Sequence, residues 1–294
     1  MTGLIFVFAA VFMNAAKGFC SKKVSGRMTC LAETVDLNLI RNLICGLLGA
    51  GILLFSRTDR MPDARGYAII LISGCSATVN YLVWILSLKT DAYMLVSAAN
   101  SASFLIPALG GILLFGETLT LTKGAAVLLI AAALFFLLRY QKGSKGVLTP
   151  KAAVLLFSIF FTAGVSSFTQ KWFVRAEPEI STHIYTFGTF LVSFLLLAVF
   201  RPMLHHPGPG GAELSKAKEV FHYAIFMGIA LYCATFFQTQ AALHFDAVVL
   251  YPLNNALSLT AGCFMSWIFF GEKPNRDSIV GMVFVFAALV LAKL

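Results

Sequence analysis

The segment DAYMLVSAANSASFLIPALGGILLFGE, residues 91–117, returns in register as DAVVLYPLNNALSLTAGCFMSWIFFGE, residues 246–272. A single offset of 155 aligns the aspartate that opens each segment, the asparagine near its centre and the Phe-Gly-Glu that closes it. The main matched pairs are Asp91 with Asp246, Asn100 with Asn255, and Glu117 with Glu272. Internal self-similarity of this kind indicates a repeated structural unit. The chain is therefore two copies of one unit.

The composition of the chain is that of a membrane protein. Of 294 residues, 59% are hydrophobic and 12% are charged, and the mean hydropathy is +0.85. A typical soluble domain has roughly 45–50% apolar and about 25% charged residues. The formal charge of +9 lies mainly in the short polar connections, where Lys and Arg suit anionic lipid headgroups. We therefore expect the lipid bilayer as a partner, and no nucleic acid.

Ten apolar runs have about the 17–25 residues that a helix needs to cross the hydrocarbon. The approximate runs are Thr2 to Cys20, Leu37 to Phe55, Gly66 to Leu88, Tyr93 to Phe115, Leu121 to Leu138, Ala152 to Gln170, His183 to Phe200, Phe221 to Leu243, Val248 to Phe270 and Ile279 to Leu291. Five runs fall in each copy, which predicts one transmembrane unit made of two repeats, residues 1–143 and residues 144–294. The basic residues near the first run follow it rather than precede it, so we expect a span that is not cleaved.

An odd number of spans in each copy fixes how the copies are related, if they share a fold. The second copy must then enter the bilayer from the opposite side, so the repeats are inverted. The predicted fold is an all-α integral membrane protein with ten transmembrane helices as two inverted five-helix repeats. Such halves have two near-equivalent arrangements, as alternating access requires. Lys and Arg are more frequent in the connections after the odd-numbered spans, which favours both termini outside.

A short motif runs through residues 92–124, where small residues lead to Pro107, then to Gly116-Glu117, and a glycine opens the next run. Its echoes in the second copy and the basic residues in and after the second run belong to the same pattern: Asn255, Gly271-Glu272, Gly281, Arg41, Arg57, Arg60 and Arg65. In these features, and in span count and duplication, the chain resembles the EamA-like branch of the drug/metabolite transporter superfamily. The second copy departs from the motif, because Gly262 stands where the first copy has Pro107 and Pro252 comes earlier in the run.

This resemblance implies a ten-helix basket in the plasma (cytoplasmic, or inner) membrane, with helices five and ten outside the central cavity. It also implies that both termini lie in the cytoplasm. The count of basic residues favours the opposite orientation, and we follow the resemblance, because duplicated transporters of this type inherit small charge biases. A homodimer through the last span is compatible with this plan.

Polar residues separate lining runs from lipid-facing runs. An amide in hydrocarbon without partners costs several kcal/mol, so Asn and Gln must face other helices or a wet cavity. We predict that a central substrate site is lined by Asn80, Tyr81, Trp84, Asn100, Gln170, Tyr185, Gln238, Tyr251, Asn254 and Asn255. The alternative is hydrogen bonding between helices, which we favour for single Ser and Thr residues. For Asn100 and Asn255 we favour the site, because the two occupy equivalent places in inverted copies.

The charged residues constrain the substrate. Lys17 and Lys171 lie 154 positions apart near the ends of the first spans of the two copies. They are candidate contacts for an anion, and the favoured alternative is that both lysines and Arg41 extend outward to the membrane surface. No carboxylate lies in the middle of a run, and Glu117 is expected to act at a helix end. An exporter that exchanges protons for cationic drugs would need a buried carboxylate, so a neutral, zwitterionic or anionic solute is favoured.

Enzymatic motifs are absent from the sequence. There is no HExxH, no P-loop and no cysteine pair with zinc spacing, so we expect neither a cofactor nor a metal. The prediction is a secondary transporter that moves a small organic metabolite, such as an amino-acid-like compound, by alternating access. The alternatives are an integral-membrane enzyme acting on a lipid-linked substrate and a receptor-like or scaffolding protein, and both leave the inverted duplication unexplained.

Overall fold

The computed structural model of the chain describes residues 2–25, 31–56, 60–88, 99–140, 150–204, 213–270 and 276–291. The regular structure of these residues is helical. Several positions named above lie outside the described residues: Arg57, Asp91, Gly271, Glu272 and the junction at residues 143 and 144.

The helices follow the apolar runs closely. In chain order they are α1 (Thr2–Ser25), α2 (Leu31–Phe55), α3 (Ala64–Leu88), α4 (Leu105–Phe115), α5 (Leu121–Tyr140), α6 (Pro150–Ala176), α7 (Thr182–Phe200), α8 (Glu213–His244), α9 (Ala247–Phe270) and α10 (Arg276–Leu291). A short 3-10 helix, Arg201–Met203, follows α7, and residues 99–102 form a helical turn before α4.

Among the described residues, seven helices are long and apolar enough to cross a membrane, namely α1, α2, α3, α6, α7, α8 and α9. Shorter apolar helical segments account for the rest: Ala99–Phe115, Leu121–Phe136 and Ile279–Ala288. Large apolar side chains such as Leu54, Phe55, Leu121 and Leu128 are mostly exposed, as lipid-facing surfaces require. An all-helical protein with several membrane spans is thus confirmed, whereas the number ten and the inversion of the repeats stay predictions.

The helices pack mainly across the two halves of the chain. Contacts join α1 with α8, α2 with α7 and α8, α3 with α6 and α7, α4 with α9, and α5 with α10. Most of these contacts have a counterpart five helices along the chain, since α1 on α8 corresponds to α6 on α3, and α2 on α8 to α7 on α3. The others pair a helix with its own counterpart. Two equivalent halves related by a twofold axis would produce this pattern.

The two helices that were expected to lie outside the site, α5 and α10, pack against each other. Ala126 and Ile130 of α5 and Val285 and Ala288 of α10 are fully buried, and the two helices contact each other. Leu128 on the other face of α5 is exposed. The pair therefore covers α9 from outside and exposes apolar surface.

A break before α4 follows from Pro107. Proline has no N–H and cannot donate to the carbonyl of the residue four positions earlier, which is Ser103. The helical turn of residues 99–102 accordingly ends there, and the N–H of Ile106 donates instead to the Ser103 carbonyl at 3.2 Å. This break places the backbone of Ser103 against α6, where a side chain at Gly164 would collide with it.

One end of the bundle, called here the N-terminal end, contains the start of α1 and the connections at residues 60–63, 116–120, 177–181 and 245–246. Gly3 lies against His244 and Phe245, and the backbone N–H of Asp63 donates to Oε1 of Glu177 at 3.2 Å. These contacts bring connections from both halves together at this end.

Candidate functional site

A buried ion pair joins the two halves at the N-terminal end. Lys171 in α6 is 2% exposed, and Glu117, two residues after α4, is 6% exposed. Nζ of Lys171 lies 3.4 Å from Oε1 of Glu117. It also donates to the backbone carbonyls of Ala242 at 3.0 Å and Phe245 at 2.5 Å, at the end of α8. The interpretation of Lys171 as a lysine that extends to the surface is therefore wrong, because its ammonium has acceptors inside the protein.

Glu117 also stabilises the start of α9. Its Oε2 accepts from the backbone N–H of Val248 at 3.3 Å, and a helix N-terminus favours a negative charge. Gly116 has a left-handed backbone with φ 64°, which turns the chain so that the N–H of Glu117 donates to the Gly111 carbonyl at 3.0 Å. Gly116-Glu117 is thus a turn followed by a carboxylate that binds the start of α9. This is the helix-end role expected for Glu117, but its partner Lys171 was not foreseen.

A second ion pair at the same junction is more exposed. Nζ of Lys123 lies 2.6 Å from Oδ2 of Asp246, and the two side chains are 28% and 31% exposed. Asp246 comes directly before α9, and its carbonyl accepts from the N–H groups of Val249 and Leu250 at 3.2 and 2.9 Å. The first turn of α9 is therefore held by residues from both halves.

A carboxylate pair lies nearby, outside the membrane-spanning helices. Oδ1 of Asp63 accepts from the backbone N–H of Gly66 at 2.8 Å, and this bond, with a hydrogen bond to Glu177, lowers the pKa of Asp63. Burial, and then the hydrogen bond with Asp63, raises the pKa of Glu177. The two shifts have opposite directions, so Asp63 loses its proton at a lower pH than Glu177 does. Arg60 forms an ion pair with Glu179 on the surface beside them.

Tyr185 is used in packing between three helices. It is 1% exposed, and its hydroxyl lies 2.7 Å from Oγ of Ser73 in α3 and 3.0 Å from Oγ1 of Thr169 in α6. Thr189 donates to Ser73 at 3.1 Å. This network joins α3, α6 and α7, so the hydroxyl of Tyr185 has protein partners in this conformation.

Two of the predicted asparagines, Asn80 and Asn255, also have protein partners. Nδ2 of Asn80 donates to Oγ1 of Thr162 at 3.1 Å. Nδ2 of Asn255 donates to the backbone carbonyl of Ser101 at 3.0 Å, which is the residue after Asn100. The mirrored segments around Asn100 and Asn255 therefore meet, as the repeat predicted, through a hydrogen bond from side chain to backbone.

A different group of polar atoms is buried without a protein partner. On α6 these atoms are Oγ of Ser166 and Oε1 of Gln170, and on α9 they are the hydroxyl of Tyr251, Oδ1 of Asn254 and Oγ of Ser258. Gln170, Tyr251 and Asn254 are 6%, 1% and 4% exposed. The residues lie three or four positions apart on each helix, hence on one face, and α6 contacts α9. Buried polar atoms normally have a partner, so this set is the candidate binding site.

The remaining predicted site residues are half-buried, and their contacts do not assign them to the candidate site. Gln238 on α8 and Trp84 on α3 are half-buried, and Trp84 has contacts within the protein. Nζ of Lys17 donates to Oδ1 of Asn14 on the same helix at 3.0 Å. Tyr81 is half-buried beneath Arg41, whose Cζ lies 4.4 Å from the ring centroid.

Arg41 was expected to extend outward, and that expectation is wrong. It lies in the interior of α2 and is 8% exposed. Its Nε and Nη2 are buried without a hydrogen-bond partner. The expectation failed because α2 begins at Leu31, several residues before the apolar run that defined the predicted span.

Asn42 was not among the predicted site residues, but it lies in a buried polar contact between three helices. Asn42 is fully buried and donates from Nδ2 to Oγ of Ser193 in α7 at 3.1 Å. Thr78 of α3 donates to the same Ser193 oxygen at 3.0 Å. The sequence feature that could have identified Asn42 is its position directly after Arg41 in an otherwise apolar run.

Comparison with known proteins gives the fold and the family. A search of curated proteins found no match. One solved structure, titled only as the crystal structure of a protein, aligns with a TM-score of 0.74 at 17% identity and covers 99% of this chain and 96% of its own; at that identity it shows the fold alone. The model of the EamA-like transporter family matches residues 1–139. This match places residues 1–139 in the EamA-like family of the drug/metabolite transporter superfamily, and the apolar helices in both halves make the chain an integral, multi-pass membrane protein.

Proposed function

We propose that the protein is a secondary carrier that moves a small neutral, zwitterionic or anionic organic metabolite across the plasma membrane. The family supports a membrane transporter. The observation that carries the proposal further is the set of unpartnered polar atoms on the facing helices α6 and α9. Leaving a buried hydroxyl or carbonyl without a partner costs about 1–3 kcal/mol each, so several in one place indicate a ligand that completes them.

In this proposal Gln170, Tyr251 and Asn254 bind the solute directly. Their oxygens accept from the N–H or O–H groups of a metabolite, and the tyrosine hydroxyl can also donate. The groups that already bond to protein, among them Asn80, Asn255 and Tyr185, hold the helices around the site in this conformation. They become available when the helices move.

The transport cycle is proposed to be alternating access between two inverted five-helix halves. The cross-half packing supports this, because most helix contacts have a counterpart five helices along the chain. The Lys171 and Glu117 pair joins the halves at the N-terminal end. In the cycle these contacts would separate as the solute leaves on that side, and the opposite end would close.

Reconstitution of the purified full-length protein in liposomes tests the proposal. The vesicles are incubated with a mixture of isotope-labelled amino acids, organic acids and sugars, and the contents are measured by mass spectrometry. We expect at least one unmodified compound to equilibrate faster than in empty vesicles. The variants Gln170→Leu and Asn254→Leu should each slow that flux by up to about tenfold, the effect of losing one hydrogen bond.

Asn38→Leu is the matched control. Asn38 is also a buried amide, 4% exposed, but it donates to the Thr34 carbonyl of its own helix at 2.9 Å, so its loss should leave the flux unchanged. No flux of any compound would contradict the carrier proposal, and a chemically altered product in the vesicles would favour the membrane-enzyme alternative instead.

A further inference from the structure

Arg41 presents an open edge of its guanidinium inside the protein. Nε and Nη2 are the two nitrogens on the same edge, and both are buried without a partner. The residue as a whole is 8% exposed. Cζ of the group lies over the ring of Tyr81, 4.4 Å from the centroid. The ring attracts the guanidinium through a cation–π interaction, while Nε and Nη2 have no partner.

The surroundings of Arg41 supply no negative charge within the described residues. Lys17 of α1 lies within electrostatic range of Arg41, as does Cys45 one turn further along α2. Tyr81 approaches from α3, and the backbone of α8 passes at Gly228, where a side chain would collide with the Arg41 carbonyl. The ion pairs seen between described residues involve other basic groups. Burying a cation without a counter-ion is strongly unfavourable, so this arrangement indicates an anion that binds in part of the cycle.

The same structure shows what this edge binds elsewhere. Arg201 donates from Nε to Oδ1 and from Nη2 to Oδ2 of Asp36, the latter at 2.9 Å. That is bidentate recognition of a carboxylate by the edge that Arg41 leaves open. The spacing of Nε and Nη2 matches the two oxygens of a carboxylate, whereas a lysine would act only as a point charge.

We propose that Arg41 is an anion subsite of the carrier, which binds a carboxylate of the transported solute through Nε and Nη2. Lys17, held by Asn14, adds a second positive charge to this subsite and Tyr81 orients the guanidinium. The subsite rests on the proposed transport function and narrows the solute to organic carboxylates, zwitterions among them. Two neighbouring cations also exclude organic cations that lack an acidic group.

Binding to the purified full-length protein in detergent tests the subsite without transport. The thermal midpoint is measured with acetate, pyruvate and benzoate, each against its neutral amide, and with inorganic phosphate and phenyl phosphate. A ligand that binds the folded state raises the midpoint. We expect a carboxylate to raise it and its amide not to. Arg41→Gln should weaken the binding of that carboxylate by about 10- to 100-fold, which is the contribution of a charge-assisted bidentate contact. Arg41→Lys should weaken carboxylate binding less than Arg41→Gln does, because lysine keeps the positive charge and loses only the paired donors Nε and Nη2.

Arg175→Gln is the matched control, since it removes one positive charge from an exposed arginine at the end of α6 and should leave binding unchanged. The apparent stability of Arg41→Gln without ligand separates binding from folding. It should equal or exceed that of the wild type, because an unpaired buried charge is removed.

Three results would overturn the subsite: no carboxylate raises the midpoint, the amides act as well as the acids, or Arg41→Gln binds as tightly as the wild type. A response to phosphates alone would also overturn the carboxylate assignment. Binding that depends on Arg41 in detergent, without flux in liposomes, would leave the anion site intact and reject the carrier proposal. Flux that does not depend on Arg41 would support the carrier proposal and reject the Arg41 subsite.

Discussion

Two lysines near the ends of the first spans of the two halves have different surroundings. Lys171 is almost fully buried and has Glu117 and two backbone carbonyls as acceptors. Lys17, 154 positions earlier, is half-buried, bonds to Asn14 and lies within electrostatic range of Arg41. A charge whose partners are all internal holds structure together, whereas charges without a described counter-ion are available to a ligand. The two lysines therefore have different roles in this conformation.

The largest expected effect separates these two lysines directly. Lys171→Met should destabilise the protein by about 3–5 kcal/mol, because it leaves the Glu117 carboxylate buried without its cation. Lys17→Met should change stability by no more than about 1 kcal/mol, since no described carboxylate depends on it. Thermal or denaturant unfolding of the purified full chain in detergent measures both. Equal losses would remove the distinction between the two sites. The double variant Glu117→Gln with Lys171→Met should recover part of the loss.

Two buried tyrosines differ in the same way, because one hydroxyl has protein partners and the other has none. Tyr185→Phe should cost about 1–3 kcal/mol, because Ser73 and Thr169 lose the hydroxyl to which they bond. Tyr251→Phe should leave stability unchanged or slightly higher, since the hydroxyl of Tyr251 has no partner in the protein, and it should slow transport in liposomes. A large stability loss in Tyr251→Phe would remove that hydroxyl from the proposed site.

The partly exposed ion pair of Lys123 and Asp246 should contribute less to stability than the buried pair of Lys171 and Glu117. Lys123→Ala should cost no more than about 1 kcal/mol, because its pair with Asp246 is partly solvated. High salt should reduce the difference from the wild type through screening, while the Lys171→Met defect persists. A loss as large as that of Lys171→Met would show that burial does not control the strength of these pairs.

The smallest effect concerns pH at the Asp63 and Glu177 pair. The raised pKa of Glu177 contributes stability that is present below its ordinary value of 4.5 and is lost as pH rises through the higher folded value. The lowered pKa of Asp63 acts in the opposite sense, with stability lost as pH falls below 3.8. Glu177→Gln should therefore flatten the decline of the thermal midpoint just above pH 4.5.

Glu179→Gln is the control for this measurement, because Glu179 pairs with Arg60 and has no hydrogen bond with Asp63. It should keep the wild-type pH profile. An unchanged profile in Glu177→Gln would contradict the raised pKa of Glu177.

The sequence predicted the helices well and the contacts of its polar residues only in part. Apolar length decides where a span lies, so most runs reappear as helices that overlap them. The fourth run, Tyr93 to Phe115, is described only from residue 99 and is interrupted before α4. The meeting of the segments around Asn100 and Asn255 also followed from the repeat, although the bond runs to the Ser101 carbonyl. Arg41 was misjudged because its helix begins earlier than the apolar run, which moved it from a helix end to the interior.

Sequence alone determined that this chain is a multi-helix membrane protein whose residues 1–139 match the EamA-like transporter family, because hydrophobic length and short motifs are local properties of the chain. Only the tertiary structure decided that Glu117 pairs with Lys171, that Tyr185 is used in packing, and that Gln170, Tyr251, Asn254 and Arg41 have unpartnered polar atoms. Whether a buried polar group is satisfied depends on atoms from helices distant in sequence, and no linear pattern records which of them come within hydrogen-bond distance.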